Sequence, residues 1–195
     1  MNKQEHKHHI FKKLTNDVLT MWERNVINEY KHLTNEEIKL EVEKNKFPFA
    51  VLFEGWISDF NVSSGIRNGN CFGARDIFYM GKKQIDKRGC QGSYLYSPIT
   101  YIKSYEELAQ LKKDYVFVGV ENNIPGSKNI SDFKYPDNSL LIFGCEGIGL
   151  TKNMIALCDV IIEIEQRGSV RSLNCGTASG IVMFDYCNKY MRKII

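Results

Sequence analysis

From residue 47 onward, short apolar runs alternate with longer stretches of helical periodicity, and this alternation restricts the fold more than any other feature of the chain. The runs are FAVLF (49–53), DIFYM (76–80), YVFVGV (115–120), SLLIFG (139–144) and DVIIEI (159–164), with helical candidates near 62–72, 104–112, 151–157 and 176–192. Runs this short and this uniformly apolar suit strands covered on both faces. Strands of that kind separated by helices predict an α/β fold, a mostly parallel sheet with helices on both sides. Such sheets bind ligands at the carboxyl ends of their strands. Three polar, glycine-bearing loops lie there: SDFNVSSGIRNGNCFG after the first run, FGCEGIGLTKN after the fourth and EIEQRGSVRSLNCGTASG after the fifth.

The first 46 residues have a different pattern. Ile10, Phe11, Leu14, Val18, Leu19, Trp22, Val26 and Ile27 recur at helical spacing, and Thr34 followed by Glu37 is a capping box for a second helix through about Glu43. We therefore divide the chain into an N-terminal helical extension (1–46) and a main domain (47–195). Acidic and basic side chains nearly balance in the extension, so it reads as a helical pair packing on the main body or on a second subunit, not as a basic arm. The 195 residues suit one domain with a short appendage.

Composition narrows the chemistry. No apolar run approaches the roughly 20 residues of a membrane span, and MNKQEHKHHIFKK lacks a signal-peptide core. A cytoplasmic protein is expected. None of the 6 cysteines forms a C-x-x-C pair, which argues against a zinc ribbon or redox motif and for a reducing compartment. All 4 histidines fall in the first 32 residues, so the main body has no histidine base, and no metal is expected. A net charge of +3 permits a polyanionic partner without requiring one.

The loop Gly144-Cys145-Glu146-Gly147-Ile148-Gly149 reads G-x-E-x-x-G. A dinucleotide site needs glycine where Glu146 stands, and a carboxylate would repel a pyrophosphate. Ser172 or Asn174 could cap the small-residue helix that follows, and Arg67 could pair with an acidic neighbour. The segment KKQIDKRGCQGSYLYSP sets Lys82, Lys83, Lys87 and Arg88 against Asp86 alone. It and 122–138 read as the flexible loops.

Taken in order, Asn61-x5-Arg67, Phe72-Gly73, G-x-E-x-x-G at 144–149, Cys158-Asp159 with its strand, and Ser172-Leu173-Asn174 with Ala178 resemble the three motifs of the SpoU/TrmH-type RNA ribose 2′-O-methyltransferases of the SPOUT superfamily. The resemblance spans about 48–190. It implies a C-terminal deep trefoil knot, a homodimer with its site near the interface, and S-adenosylmethionine bound in the knot loops. By position the cofactor contacts fall on Gly144, Ile164 and Leu173, with Val120, Glu146, Gly149 and Gln166 as neighbours. The resemblance implies catalytic roles for Arg67, Asn61, Glu146, Ser172 and Asn174. The resemblance implies Arg67 either as a base activated by a substrate phosphate or, more simply because a guanidinium keeps its proton, as a cation gripping the phosphate beside the target ribose. In the same reading Glu146 holds either the cofactor loop or this arginine.

RNA binding needs cations, here the basic loop joined by Arg167 and Arg171. The expected partner is tRNA ahead of rRNA, since no separate ribosomal-RNA-binding domain precedes the main domain. Two positions depart from the family pattern: Ser63 replaces a glycine, and Glu165 replaces the proline that stiffens the cofactor loop. The alternatives are an RNA-binding or scaffold protein of this superfamily with little or no catalysis, and a nucleotide-dependent α/β enzyme of another kind.

Overall fold

The computed structural model describes residues 24–55 and 59–194. Its elements are α1 (Asn35–Lys44), β1 (Phe47–Phe53), α2 (Asp59–Cys71), β2 (Ala74–Tyr79), β3 (Ile99–Tyr101), α3 (Tyr105–Ala109), β4 (Val116–Val120), β5 (Lys128–Asn129), β6 (Ser139–Phe143), α4 (Lys152–Leu157), β7 (Val160–Glu163) and α5 (Cys175–Ile194). The strands form one sheet in the order β3-β2-β1-β6-β4-β7-β5, and every pairing is parallel. All strand carboxyl ends therefore lie at one pole.

The uniform apolarity of the runs follows from burial on both faces. One face presents Phe49, Val51, Phe53, Leu141 and Phe143 to α2 and α5, through Ile66, Val182, Met183 and Tyr186. The other presents Ala50, Leu52, Leu140 and Ile142 to α3 and α4, through Leu108 and Met154. Each of the larger side chains contributes roughly 1.5–3 kcal/mol on burial, and the one buried polar residue of β6, Ser139, donates through Oγ to Pro136 O (2.6 Å).

α2 carries two glycines, which weaken an isolated helix by about 1 kcal/mol each. Packing explains them. A Cβ on Gly65 would sit 2.4 Å from Phe53 Cζ, and one on Gly69 would sit 2.8 Å from Ile77 Cδ1. The bare backbone lets α2 lie close on the sheet, with its first turn over the carboxyl ends of the strands.

The capping box at Thr34 is present: Glu37 N–H donates to Thr34 Oγ1 (3.3 Å) and Thr34 N–H donates to Glu37 Oε2 (2.8 Å). Ile38 anchors α1 at 1% exposure. The longer helix expected to reach Val26 and Ile27 does not do so. Ile27 is extended (φ −61°, ψ 157°) and only a single 3-10 turn follows, Asn28–Tyr30. Two adjacent β-branched residues favour extended backbone. In addition, the Arg24 guanidinium donates across the bend to Leu33 O (2.9 Å) and Asn35 Oδ1 (3.1 Å). The rest of that helix, from Ile10 to Trp22, falls outside the described residues. Strands β3 and β5 were not foreseen.

Candidate active site

Three loops at the carboxyl pole converge on one cavity. It is lined by Val120–Asn123 beyond β4, by Phe143–Gly149 beyond β6, and by Ile164, Gln166, Arg171–Cys175 and Ala178 beyond β7. These strands are neighbours in the sheet, which is why their loops meet.

The loop after β6 is closed by its own backbone. Cys145 N–H donates to Gly149 O (3.0 Å) and Gly149 N–H donates to Cys145 O (2.8 Å). The two limbs approach so closely that a Cβ on Gly144 would stand 2.2 Å from the Gly149 carbonyl carbon. Gly149 itself has φ +71°, in the left-handed region that other residues avoid.

Three distant residues meet at the rim. Asn174 Nδ2 donates to Asn61 Oδ1 (3.0 Å) and to Glu146 Oε1 (3.0 Å), and Asn61 Nδ2 donates to Glu146 Oε2. Asn174 Oδ1 accepts from Thr177 N–H (3.2 Å), so the same side chain caps α5. Glu146 is thus held by two amides, and the fork to Arg67 considered from sequence is absent. Arg67 is exposed and lines a separate cleft with Tyr30, Ser93 and Tyr96. Six residues after Asn61, it lies about 120° around the helix.

All six positions assigned to the cofactor, Val120, Gly144, Gly149, Ile164, Gln166 and Leu173, line the one cavity, together with Glu146, Arg171, Ser172 and Asn174. Gln166 Oε1 is buried with no hydrogen-bond partner. Two cysteines also line it. Burial pushes the Cys175 thiol up to about 11, with Glu146 adding to the effect.

Two acidic residues were not anticipated. Glu54, just beyond β1 and 3% exposed, accepts from Tyr105 OH (2.6 Å), Thr151 Oγ1 (2.5 Å) and Thr151 N–H (3.0 Å). Glu121, just beyond β4, accepts from Leu150 N–H (2.7 Å). The available signal was an acid directly following a buried strand.

The assigned RNA-binding cations are not equivalent. Arg88 is paired with Asp86, whose carboxyl it holds down to about 2. Arg167 is paired with Glu165 (3.1 Å), the residue standing in for the proline. Lys87 lies over the Tyr94 ring at 4.7 Å. Lys83 and Arg171 are exposed, Arg171 at the cavity mouth. Ser63, the other departure, is buried and donates through Oγ to Asp86 O, tying α2 to the basic loop. No group of metal-ligating side chains occurs among the described residues, and none of their helices is long and apolar enough to cross a membrane.

The fold is thus a parallel α/β sheet carrying one glycine-bearing cavity at three adjacent strand ends. The chain belongs to the SpoU rRNA Methylase family, whose model matches residues 48–184. It is 30% identical over 80 residues to the tRNA (guanosine(18)-2′-O)-methyltransferase of Saccharomyces cerevisiae, covering 41% of this chain and 6% of that protein. The SpoU methyltransferase AviRb from Streptomyces viridochromogenes, solved in complex with AdoMet, superposes with a TM-score of 0.68 at 25% identity, over 78% of this chain and 62% of the other. The A. aeolicus TrmH/SpoU tRNA modifying enzyme superposes with a TM-score of 0.71 at 20% identity, over 82% and 83%. The chain spans only a small part of the yeast relative's length.

Proposed function

We propose that this protein is an S-adenosylmethionine-dependent RNA methyltransferase that modifies a ribose 2′-hydroxyl, with tRNA ahead of rRNA as substrate. The observation that carries the reading is that one cavity collects all six expected cofactor positions, while Asn61, Glu146 and Asn174 interlock at its rim. The residues suit the cofactor chemically. Gly144 and Gly149 leave backbone room for it, Val120, Ile164 and Leu173 give apolar walls, and the orphaned Gln166 Oε1 offers an acceptor to an amino or hydroxyl group. Glu146 suits a cationic ligand.

When bound, S-adenosylmethionine supplies an activated methyl group on a sulfonium. The chain's own residues must then position the ribose and lower the cost of its alkoxide. The Asn61–Glu146–Asn174 triangle fixes the rim against which the ribose rests, and Ser172 orients the hydroxyl. Arg67 grips the neighbouring phosphate as a cation. Arg171 and Lys83 lead the RNA contacts, followed by Lys82, Lys87, Arg88 and Arg167.

Arg67 lies outside its own chain's cavity, and this fits a homodimer in which it serves the partner's site. The exposed apolar side chains of α2 and α5, Phe60 at 56%, Ile181 at 37% and Phe184 at 60%, would form that interface. The proposal includes the knotted C-terminal topology, a boundary near 46/47 between extension and catalytic domain, and a cytoplasmic location. Calorimetric titration with S-adenosylmethionine, then labelled methyl transfer into separate tRNA and rRNA pools, tests the reading. Micromolar binding followed by a 2′-O-methylated nucleoside from tRNA supports it. Cofactor-independent RNA binding without transfer would favour the scaffold alternative.

A further inference from the structure

We infer that Glu121 is the positioning residue that sets the shape of the cofactor cavity, a role that rests on the cofactor reading above. Glu121 lies on the first of the three loops that line the cavity, between two of its walls: the closed loop 144–149, which continues into Leu150, and the strand β7, which leads into the lining residues Ile164 and Gln166. Glu121 is bonded to both. Its backbone N–H donates to Ile162 O (3.0 Å), the last rung between β4 and the β7 wall. Its side chain crosses to the opposite wall, where Oε2 accepts from Leu150 N–H at 2.7 Å. The carboxylate is braced by its own loop, since Oε1 accepts from Asn122 N–H at 3.0 Å. It packs against Gly149 so closely that a Cβ there would stand 2.0 Å from Oε2. A side chain at position 149 would therefore collide with the carboxylate as well as strain the left-handed turn. The next amide along, Thr151 N–H, is held by Glu54 at 3.0 Å. The descending limb of the loop is thus suspended from carboxylates at the ends of two strands, and only Glu121 also lines the cavity.

Hydrogen bonds from backbone N–H groups to a carboxylate are charge-assisted and about twice as strong as neutral ones. Without this latch the Gly149–Leu150 limb loses its tie to the β7 wall, and the cavity must be reassembled by the cofactor at the expense of affinity.

The test compares Glu121→Ala with Glu121→Gln. The glutamine keeps an acceptor oxygen for Leu150 N–H while losing the charge. Two measurements are made on each: S-adenosylmethionine affinity by calorimetry, and amide hydrogen exchange in the cofactor-free protein. The expected result is a Kd raised at least tenfold in Glu121→Ala and by about threefold or less in Glu121→Gln. Exchange at Leu150 should accelerate at least tenfold in Glu121→Ala, while Leu141 in β6 stays as protected as before. At saturating cofactor, kcat should stay within about threefold of the parent, so the loss appears in KM. An unchanged Kd in Glu121→Ala, or unchanged Leu150 exchange, overturns the assignment. Equal acceleration at Leu141 also overturns it, because the role would then be general stability. If the parent protein binds no S-adenosylmethionine, the cofactor reading fails, and Leu150 exchange still decides whether the latch exists.

Discussion

The Asn174 side-chain nitrogen at the start of α5 stands 3.0 Å from the Asn61 side-chain oxygen in the first turn of α2. Its second proton goes to Glu146, and its oxygen accepts from Thr177 N–H. Both amide protons and one oxygen lone pair are thus used, and the orientation is fixed, because a flipped amide would turn its oxygen toward the Glu146 carboxylate. Asn174→Asp keeps the helix cap but sets a second carboxylate against Glu146, where like charges at hydrogen-bond distance repel. We expect turnover to fall by about 100-fold or more while α5 remains folded, checked by methyl transfer and circular dichroism on the same sample.

Gly149→Ala meets two obstacles, the positive φ and the Glu121 carboxylate. The backbone strain alone costs on the order of 1–3 kcal/mol. Thermal unfolding should occur several degrees lower, and calorimetry should show S-adenosylmethionine binding lost or severely weakened. Normal affinity would mean that the loop has another accessible shape.

If Arg67 acts on the partner's site, two inactive chains should complement one another. Arg67→Ala and Glu146→Gln homodimers should each be nearly inert. A mixed dimer has one site with both parental residues, so co-expressed and separately tagged chains should recover up to about half of the parental rate per dimer. Inert mixed dimers would place Arg67 in its own chain's site.

The basic residues should separate by salt dependence. Each phosphate contact removed lowers the slope of log K against log salt by roughly 0.7–0.9. Arg171→Ala and Lys83→Ala should each show such a drop. Arg88→Ala and Arg167→Ala should show less, because their guanidiniums are already engaged by Asp86 and Glu165.

Thiol reactivity follows from burial. With its thiol pushed up to about 11, Cys175 carries only about one thiolate in a thousand at pH 8, rising tenfold for each pH unit up to its own value. Cys158, pushed up to about 12, should react more slowly still. Cys71 is exposed. Iodoacetamide at pH 8 followed by mass spectrometry should show Cys71 modified first and Cys175 far behind.

Much of this architecture is legible from residue pattern, for reasons that differ between elements. The five longer strands are visible because each carries a run of apolar residues, longest in β1 and β6, which are buried on both faces. β3 and β5 were hidden because three and two residues at the sheet's edges need no apolar signature. The motif resemblance pointed to Asn61, Glu146 and Asn174, yet not to their mutual bonding, which depends on how α2 and α5 lie over the sheet. Glu54 and Glu121 went unnoticed because an acid after a strand usually signals solvent, whereas here each turns back to hold backbone amides. The spacing that identified Arg67 gave no hint that it faces away from Asn61, a matter of helix rotation alone.

β6 is the hinge of assembly as well as of the site. It lies between β1 and β4 in the sheet but follows both in the chain. As the polypeptide emerges from the ribosome, β1–β3 can form one fragment, but β4 has no neighbour until residues 139–143 have been synthesised. Until then the inner edge of β1, wholly apolar from Phe49 to Phe53, is an open template for pairing with other chains. A stalled or truncated translation product ending before Ser139 therefore leaves that apolar edge open, and it should aggregate more readily than the full-length chain.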